Sequence, residues 1–402
     1  MQERRILVAV SGGIAAYKTP ELVRAFVRAG HAVRCALTPE ATRFVTPLVL
    51  QTLSGAPART DLFDLSQEGE IDHIALADWA ELLVVAPATA NLLAKLAQGL
   101  ADDLVSTLAL ATRAPLLLAP AMNVNMWRHP ATRANAETLR QRGARFVGPE
   151  AGELACGWEG EGRMSEPADI AVEALRLLGP CDFEGVRLLV TAGGTREPLD
   201  AVRFVGNRSS GRMGFAVAAE AQRRGAECVL VAGPCALETP FGVRRVDVET
   251  ALEMRDALRK ELPKIDVVVK AAAVGDFRAA RREEHKIKKE DLPDDAGLSI
   301  ELVRNPDILA EISREKGTRI VVGFAAESHD VLAAARRKIQ RKGCDLIVAN
   351  DVSAPDSGFD VDINTVSFVW PNGATESLPP LPKAEVAARL LDRVRALREE
   401  RS

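Results

Sequence analysis

Short apolar segments that alternate with helical segments constrain the fold of this 402-residue chain more than any other feature. The first half contains predicted strands at residues 5–10, 32–37, 82–86 and 115–119, and predicted helices at residues 15–29, 90–98 and 103–111. Short strands connected through helices are typical of β-α-β units, in which the strands pair in parallel. The sequence therefore predicts an α/β protein with two doubly wound, mostly parallel, Rossmann-like sheets, the first of them flavodoxin-like.

The pattern stops and restarts near Leu178-Gly179-Pro180-Cys181-Asp182. Beyond this point the sequence predicts strands at residues 186–191, 227–232, 267–271, 320–325 and 346–349, an antiparallel strand at 363–370, and helices at 212–224, 250–261, 307–315, 331–342 and 384–398. The charged stretch 278–295 has almost no apolar face and is predicted to be a solvated loop. We therefore predict two domains, residues 1–180 and residues 181–402.

Composition and charge exclude several classes of protein. Lys and Arg number 52 and Asp and Glu number 56, a net charge of −4, so a general basic face for nucleic acid is not expected. No uninterrupted apolar run approaches the ~20 residues that a membrane helix needs, and the apolar segment at residues 6–10 is too short for a signal-peptide core. Six widely spaced cysteines without a CxxC pair argue against a disulfide framework and a zinc site. We expect a cytoplasmic protein with no nucleic acid and no membrane partner.

Small residues follow the first predicted strand at Ser11, Gly12 and Gly13 and lead into a helix. Backbone N–H groups at such a turn can approach an anion, and the helix N-terminus adds positive potential. The spacing lacks the GxGxxG pattern of dinucleotide-binding folds, so a single phosphate, such as that of FMN, fits better. An ordinary tight glycine turn is the alternative.

Two further segments end predicted strands, Pro87-Ala88-Thr89-Ala90-Asn91 and Pro120-Ala121-Met122-Asn123-Val124-Asn125-Met126-Trp127. Ligands of open α/β sheets bind at this edge, and an Asn side chain there can hold a carboxylate or cap a helix. Met126 and Trp127 are expected in the core. His73, just ahead of a helical run, is either a capping or surface residue or a catalyst.

A glycine-rich stretch at residues 152–164 shows neither strand nor helix periodicity. We expect it to form a flexible lid that delivers Cys156 to a site. The alternative is a buried, inert thiol, which is the usual state of an unpaired cysteine.

These first-half segments, with Ala155-Cys156-Gly157 and Gly162-Arg163-Met164, resemble the FMN-dependent cysteine decarboxylases. The resemblance is strongest to the first half of the bacterial bifunctional phosphopantothenoylcysteine decarboxylase/phosphopantothenate–cysteine ligases. It implies that His73 is an acid/base group near the flavin, that Asn123 holds the substrate carboxylate and that Cys156 donates the final proton. It further implies oxidation of the substrate thiol to a thioaldehyde before CO₂ leaves, and a homo-oligomer built on trimers, as in a dodecamer. The FMN-binding residues expected are Ser11, Gly12, Gly13, Thr38, Thr89, Asn91 and Ser106.

The second half contains a similar strand end, Thr191-Ala192-Gly193-Gly194-Thr195-Arg196-Glu197-Pro198, followed by a helix start at residues 203–214. Hydroxyls, glycines and basic residues at a helix start suit a phosphate; a capped helix with solvated arginines is the alternative. The run His285-Lys286-Ile287-Lys288-Lys289 is either solvated surface or a loop that closes over a nucleoside triphosphate. Asn305 is the expected N-cap of the next helix.

These segments resemble the phosphopantothenate–cysteine ligase half of the same bifunctional family, whose bacterial members use CTP. The resemblance implies that the carboxylate of 4′-phosphopantothenate attacks the α-phosphorus of CTP, and that the amine of L-cysteine then attacks the acyl-cytidylate. It assigns the acyl-cytidylate to Asn207, substrate binding to Arg203 and Asn207, and a catalytic role to Lys286. Mg²⁺ would accompany CTP, with Asp276 as its candidate ligand. The nucleotide-binding residues expected are Gly193, Gly194, Ala272, Ala273, Asp276, Lys286, Asn305, Pro306, Asp307, Ile308, Phe324, Lys338 and Lys342.

Two other functions are weighed against this one. A regulatory flavoprotein with the decarboxylase fold would bind flavin without turnover. A nicotinamide-dependent oxidoreductase would need GxGxxG after a strand and an acidic residue about twenty positions on, which the chain lacks. A bifunctional enzyme of coenzyme A biosynthesis accounts for both halves and is the predicted function.

Overall fold

The computed structural model describes residues 3–62, 72–153, 159–288, 298–327, 330–351 and 363–401. Cys156 and the segment around it therefore lie outside the described residues. The chain divides into two compact units, residues 1–180 and residues 181–402. Within the described ranges, no helix combines the length and the apolar character that crossing a bilayer requires.

The first unit alternates strands and helices along its whole length. Its elements are β1 (Arg5–Val10), a 3-10 turn (Ile14–Lys18), α1 (Thr19–Arg28), β2 (Ala32–Leu37), a 3-10 turn (Ala41–Arg43), α2 (Pro47–Ser54), β3 (Ala58–Arg59), α3 (Asp72–Trp79), β4 (Leu82–Ala88), α4 (Ala90–Gln98), α5 (Leu104–Ala111), β5 (Leu116–Pro120), α6 (Val124–Arg128), α7 (Pro130–Gln141), β6 (Arg145–Phe146), β7 (Glu150–Glu153), β8 (Glu159–Arg163) and α8 (Pro167–Leu177).

The sheet of the first unit is parallel throughout and runs β3-β2-β1-β4-β5-β6. Without the two-residue edge strand β3, this is the flavodoxin-like order. Helices cover both faces, so β1 and β4 are near-continuous apolar runs that are almost fully buried. The predicted α/β fold of this half is confirmed.

Two sequence predictions for the first unit need correction. The helix predicted over residues 15–29 is divided into a 3-10 turn and α1, because Pro20 stands in the first turn of α1 and a proline there starts a helix rather than continuing one. Met126, expected in the core, is 49 % exposed, whereas Trp127 is buried as expected.

The glycine-rich stretch was expected to lack strands, and this is wrong for the residues that flank 154–158. Strands β7 and β8 form an antiparallel hairpin. A β-carbon on Gly162 would lie 2.3 Å from the carbonyl oxygen of Met122. This glycine is therefore needed for close backbone contact rather than for flexibility.

The second unit repeats the alternation and adds short antiparallel pairs. Its elements are β9 (Arg187–Ala192), β10 (Arg196–Pro198), β11 (Phe204–Gly206), α9 (Arg212–Arg223), β12 (Glu227–Ala232), β13 (Arg244–Asp247), α10 (Ala251–Glu261), a 3-10 turn (Leu262–Lys264), β14 (Val267–Lys270), β15 (Phe277–Ala279), β16 (Leu302–Arg304), α11 (Ile308–Arg314), β17 (Ile320–Glu327), α12 (Val331–Lys342), β18 (Leu346–Asp351), β19 (Ile363–Asn364), β20 (Val366–Val369), β21 (Thr375–Ser377), β22 (Leu381–Pro382) and α13 (Lys383–Glu399).

The main sheet of the second unit runs β13-β12-β9-β14-β17-β18-β20-β21. The first six strands are parallel in the doubly wound order, and β20 and β21 are antiparallel. The antiparallel strand predicted at residues 363–370 is divided in two, because β19 pairs with β22 in a separate sheet while β20 joins the main sheet. Helices α9 and α13 cover one face, around a core that includes Phe215, Leu390 and Phe368. Helices α10, α11 and α12 cover the other face.

Part of the predicted charged loop is a strand. β15 pairs with β16 in an antiparallel hairpin, so residues 277–279 are not solvated coil. Residues 280–288 have neither helix nor strand, and residues 289–297 lie outside the described residues. The periodicity missed β15 because a three-residue strand is too short to show alternation.

Candidate active sites

A cavity of about 940 Å³ lies at the carboxyl ends of β1, β4 and β5 in the first unit. It brings together seven of the predicted residues, which are Ser11, Gly12, Gly13, Thr38, Thr89, Asn91 and Asn123. The cavity is also lined by residues to which the sequence analysis assigned no site role, among them Ile14, Tyr17, Lys18, Glu40, Lys95, Asp103, Met122, Met126, Arg163, Met164 and Glu166.

Hydrogen bonds join the ends of β1 and β4 at the floor of this cavity. The Ser11 hydroxyl donates to the Pro87 carbonyl at 2.7 Å and lies 3.2 Å from Thr89 Oγ1, and the Thr89 N–H donates to Ser11 Oγ at 3.1 Å. Thr89 also accepts from the Leu92 N–H as the N-cap of α4. The two hydroxyls are therefore held in place by the backbone before any ligand binds.

The glycines at the end of β1 pack closely against neighbouring residues, so an added side chain would collide with them. A β-carbon on Gly12 would lie 2.4 Å from Glu40 Cβ, and one on Gly13 would lie 3.3 Å from Thr89 Cγ2. Both glycines also line the cavity. A phosphate could approach the N–H groups there.

The hairpin β7–β8 supports the segment that carries Asn123. The Met122 N–H donates to the Gly162 carbonyl at 2.9 Å. The Asn123 carboxamide oxygen accepts from the Asn125 N–H at 2.8 Å and caps α6. Asn123 is thus a helix cap that also lines the cavity, and its role in holding a carboxylate stays a prediction.

Charged pairs ring the cavity. Lys18 Nζ lies 2.8 Å from Glu166 Oε1, and Arg163 bonds the same carboxylate; hydrogen bonding to Lys18 lowers the pKa of Glu166. Lys95 Nζ lies 2.8 Å from Asp103 Oδ2 and 2.7 Å from Asp102 Oδ1. Burial alone would lower the pKa of Lys95, but these two carboxylates raise it. No sequence motif marked the pair of Lys18 and Glu166, because these residues are 148 positions apart and only the fold brings them together.

Three predicted residues are not among those that line this cavity in the described part of the chain. His73 is half-buried in the first turn of α3. Ser106 is buried, and its hydroxyl and N–H complete the capping box of α5 with Asp103. Cys156 lies outside the described residues, so its position remains a prediction.

In the second unit, hydrogen bonds join the segments that follow β9 and β14. The Ala273 N–H donates to the Gly193 carbonyl at 2.9 Å, and the Asn207 side chain donates to the Val274 carbonyl at 3.1 Å. Gly193 has φ +77° and a β-carbon there would lie 2.8 Å from the Gly233 carbonyl oxygen, so this position requires glycine. Gly194 packs against the Asn207 backbone in the same way.

Asn305 joins this edge, although not as the expected cap. Its side chain donates to the Gly275 carbonyl at 2.8 Å, and its N–H donates to the Asp276 carbonyl at 2.9 Å. The N-cap of α11 is Asp307, whose carboxylate accepts from the Ala310 N–H at 3.1 Å. The side chain and N–H of Asn305 therefore bind the loop at Gly275 and Asp276. The helix is capped instead by Asp307, which follows Pro306.

A charged cluster lies beside these loops, between α11 and α12. Lys342 forms an ion pair with Asp307, and Lys338 donates to the Phe324 carbonyl at 2.9 Å. Burial alone would raise the pKa of Asp307, but the hydrogen bond from Lys342 lowers it. Lys270, which sequence reasoning missed, ends β14 in the same cluster; the signal was a lysine closing the run Val267-Val268-Val269.

Asp200, another residue that sequence reasoning missed, links two predicted segments. One carboxylate oxygen accepts from the Val202 and Arg203 N–H groups, both at 2.7 Å, and the other accepts from the Ile287 N–H at 3.2 Å. The residue thus ties the Arg203 segment to the loop that carries Lys286.

Lys286 stands apart from the other predicted nucleotide residues. It is exposed and lines a separate cavity of about 460 Å³ with Leu199, His285 and Ile300. Among the described residues, no group of three or more His, Cys, Asp or Glu side chains could hold a metal ion. Asp276, exposed beside Asn305, is therefore not part of a preformed metal site there.

Both halves of the chain match known families. Residues 1–178 match the flavoprotein family, and residues 183–397 match the C-terminal domain of DNA/pantothenate metabolism flavoproteins. The coenzyme A biosynthesis bifunctional protein CoaBC of Escherichia coli strain K12 is 48% identical over 390 residues, which are 96% of this chain and 95% of that protein.

Two solved structures each match one half. The C-terminal domain of a coenzyme A biosynthesis bifunctional protein CoaBC is 37% identical and covers 55% of this chain and 98% of that one, with a TM-score of 0.47. A PPC decarboxylase mutant complexed with pantothenoylaminoethenethiol is 35% identical and covers 44% of this chain and 98% of that one, with a TM-score of 0.41.

Proposed function

This chain belongs to the family of coenzyme A biosynthesis bifunctional proteins, and we propose that it catalyses two consecutive reactions. The second unit joins 4′-phosphopantothenate to L-cysteine with CTP, and the first unit decarboxylates the product with FMN. The observation that carries this proposal is that each unit has its own polar site at the carboxyl ends of the parallel strands of its own sheet. Two sites on two folds suit two reactions in sequence.

The first cavity fits FMN in size and in chemistry. Its volume of about 940 Å³ is within the range of cofactor sites, roughly 300–1,000 Å³. The Ser11 and Thr89 hydroxyls and the glycine turn at Gly12 and Gly13 suit a phosphate, and Ile14 and Met126 supply apolar surface for a ring. When bound, FMN supplies the reversible oxidation of the substrate thiol that makes decarboxylation possible.

The residues of the first unit orient the substrate and move protons. Asn123, fixed by the Asn125 N–H, holds the substrate carboxylate. Cys156 protonates the carbon that has lost CO₂. Strands β7 and β8, which pair with each other, lie directly before and after the segment that carries this residue. His73 is the acid/base group near the flavin.

The first unit is proposed to assemble as trimers, within a larger homo-oligomer such as a dodecamer. His73 is absent from the residues that line the cavity in the described part of its own chain, and a trimer with the flavin at subunit interfaces would let a neighbouring copy supply it. Ile14 and Tyr17, at the cavity, are 59 % and 63 % exposed, which suits a subunit contact. Light scattering should therefore give a mass divisible by three chains.

In the second unit, Gly193, Gly194 and Asn207 hold the phosphates and the acyl-cytidylate, and Asp307, Lys338 and Lys342 hold the rest of the nucleotide. Lys286 approaches the triphosphate when its loop closes, and Arg203 binds the phosphopantothenate. Mg²⁺ arrives bound to CTP, since a divalent ion of this kind is commonly held through substrate phosphates and one or two carboxylates. Asp276 is the candidate carboxylate. Both proposed reactions take place in the cytoplasm.

A coupled assay tests the proposal. The purified chain, given 4′-phosphopantothenate, L-cysteine, CTP and Mg²⁺, should release pyrophosphate and then CO₂, and should carry flavin absorbance. Cys156→Ser should keep pyrophosphate release and bound flavin but stop before the final protonation. Pyrophosphate release with ATP but not CTP would contradict the nucleotide assignment, and bound flavin without CO₂ release would favour a regulatory flavoprotein.

A further inference from the structure

Asp200 lies in the turn of the hairpin that β10 and β11 form. The Leu199 and Asp200 N–H groups close this turn by donating to the Arg203 carbonyl at 2.8 Å and 3.3 Å. The Asp200 side chain is fully buried, whereas that of Arg203 is 42 % exposed. Because a buried carboxylate is costly unless donors satisfy it, the donors around Asp200 show which segments this side chain holds.

The two oxygens of the Asp200 carboxylate bind two different segments. Oδ1 accepts from the Val202 and Arg203 N–H groups, both at 2.7 Å, and so fixes the turn that carries Arg203. Oδ2 accepts from the Ile287 N–H at 3.2 Å and lies 3.4 Å from Arg203 Nη1. Ile287 is 87 positions further along the chain and directly follows Lys286.

A backbone hydrogen bond supports the same junction. The Glu283 N–H donates to the Leu199 carbonyl at 3.0 Å, so residues 283 and 287 both contact the hairpin turn. Residues 284–286 lie between these two contacts and belong to neither helix nor strand. The position of Lys286 therefore depends on how the two ends of this short segment are held.

We propose that Asp200 is a positioning residue of the ligase site, which holds the Lys286 segment against the turn that carries Arg203. This inference rests on the proposed ligase function, in which Lys286 approaches the triphosphate and Arg203 binds phosphopantothenate. Asp200 sets the position of one of these residues relative to the other. Misplacement of a catalytic group by about 1 Å can lower a rate about a hundredfold, so the loss of this contact should lower turnover.

Asp200→Asn separates the two contacts. The carboxamide oxygen can keep the Val202 and Arg203 N–H groups, but the NH₂ group then faces the Ile287 N–H, which is also a donor. The rate of pyrophosphate release with CTP, 4′-phosphopantothenate and L-cysteine should therefore fall about tenfold or more. KM for 4′-phosphopantothenate should change less than about twofold, because the Arg203 turn stays closed. Asp200→Ala, which loses both contacts, should raise this KM as well.

A double-mutant cycle with Lys286→Met shows whether Asp200 acts through Lys286. In the Lys286→Met protein, Asp200→Asn should cause less than about a further twofold loss of rate, since the side chain that Asp200 positions is already absent. Losses that multiply in the double variant would overturn the proposal, and so would an unchanged rate in Asp200→Asn alone.

Trypsin, which cleaves after lysine, reports release of the segment directly. Lys286 and Lys288 are both exposed, and cleavage after them should be faster in folded Asp200→Asn than in the natural protein, since proteolysis follows local opening. Mass spectrometry of the fragments identifies the cleavage sites. Cleavage at an unchanged rate would overturn the proposal.

Asp345→Asn is the matched control. Asp345 is buried like Asp200, and its carboxylate accepts from the Val321 N–H at 2.8 Å. It lies at the amino end of β18, beside Lys316. This variant should unfold at a lower urea concentration but keep the natural rates of pyrophosphate release and of trypsin cleavage after Lys286.

The control separates positioning from stability. An equal loss of pyrophosphate release in Asp345→Asn and Asp200→Asn would overturn the proposal, because removal of any buried carboxylate would then be sufficient. Failure of the proposed function is a separate result, because it would appear as absent pyrophosphate release by the natural protein itself.

Discussion

At the scale of single residues, Gly12 is a position where one added carbon atom should disturb the first site. In Gly12→Ala the new β-carbon would lie 2.4 Å from Glu40 Cβ, which cannot rotate away. We expect the variant to lose most of its flavin absorbance per chain while it keeps the ligase reaction of the second unit. Gly13→Ala, whose β-carbon would meet only the Thr89 methyl group at 3.3 Å, is the control and should keep more flavin. Full flavin content in Gly12→Ala would contradict the assignment of this turn.

Arg224 stabilises the second unit through ion pairs of a buried side chain. Its side chain is 3 % exposed and bonds both Asp182 and Asp392, and it lies over the Phe183 ring at 4.9 Å. Arg224→Met leaves two carboxylates without this partner, so the free energy of unfolding should fall by about 3 kcal/mol. Urea unfolding followed by circular dichroism measures it.

The neighbouring Arg223 provides the control for that prediction. It forms an ion pair with Glu220 on the same helix and its side chain is 31 % exposed, so Arg223→Met should lower the free energy of unfolding by less than about 1 kcal/mol. Burial alone would raise the pKa of Asp182, but hydrogen bonding to Arg224 lowers it. The contribution of the Arg224–Asp182 pair to the free energy of unfolding should therefore be complete at neutral pH. It should disappear as the pH falls through the lowered pKa of Asp182. Equal losses in the two variants would contradict the prediction.

At the scale of elements, the hairpin β7–β8 connects the cavity to the segment that carries Cys156. A β-carbon at residue 162 would lie 2.3 Å from the Met122 carbonyl oxygen, and the Met122 N–H bonds the Gly162 carbonyl. Gly162→Ala should separate β8 from the Asn123 segment and lower kcat for CO₂ release at least tenfold. Pyrophosphate release should not change, because the substitution lies in the other unit.

A control for the hairpin prediction is Gly152→Ala in β7. A β-carbon there would come no nearer than 3.5 Å to the end of the Arg163 side chain, which can move. It should therefore reduce CO₂ release less than Gly162→Ala does. A CO₂ release rate in Gly162→Ala equal to that of the natural protein would show that the contact with Met122 has no role.

At the scale of the whole molecule, the division near residue 180 predicts that the two reactions can be separated. Each unit has its own sheet and its own apolar core, so each should fold when produced alone. The fragment 181–402 should be colourless and should release pyrophosphate with CTP, phosphopantothenate and cysteine. The fragment 1–180 should be yellow and should decarboxylate phosphopantothenoylcysteine. Fragments that are inactive apart and active when mixed would contradict this division of labour.

The elements of both sheets could be predicted because their signals are local. Residues 5–10, 32–37 and 227–232 are short apolar runs with turns at their ends, and the structure has strands at the same positions. Helix ends with a strong local cap were equally accessible, as at Thr250, which caps α10 with Glu253. Errors arose where a local signal had two interpretations, as at Asn305 and Asp307, or where a strand was very short, as in β15.

The sequence by itself determined that the chain is an α/β protein with two doubly wound sheets and glycine turns at their carboxyl edges, since strand periodicity and turn chemistry are properties of neighbouring residues. Only the tertiary structure decided which distant side chains share a site. Lys18 with Glu166, Asp200 with Ile287, and Lys270 with Lys338 are separated by many positions along the chain. Their proximity depends on strand order and helix packing, and it left no pattern in the order of the residues.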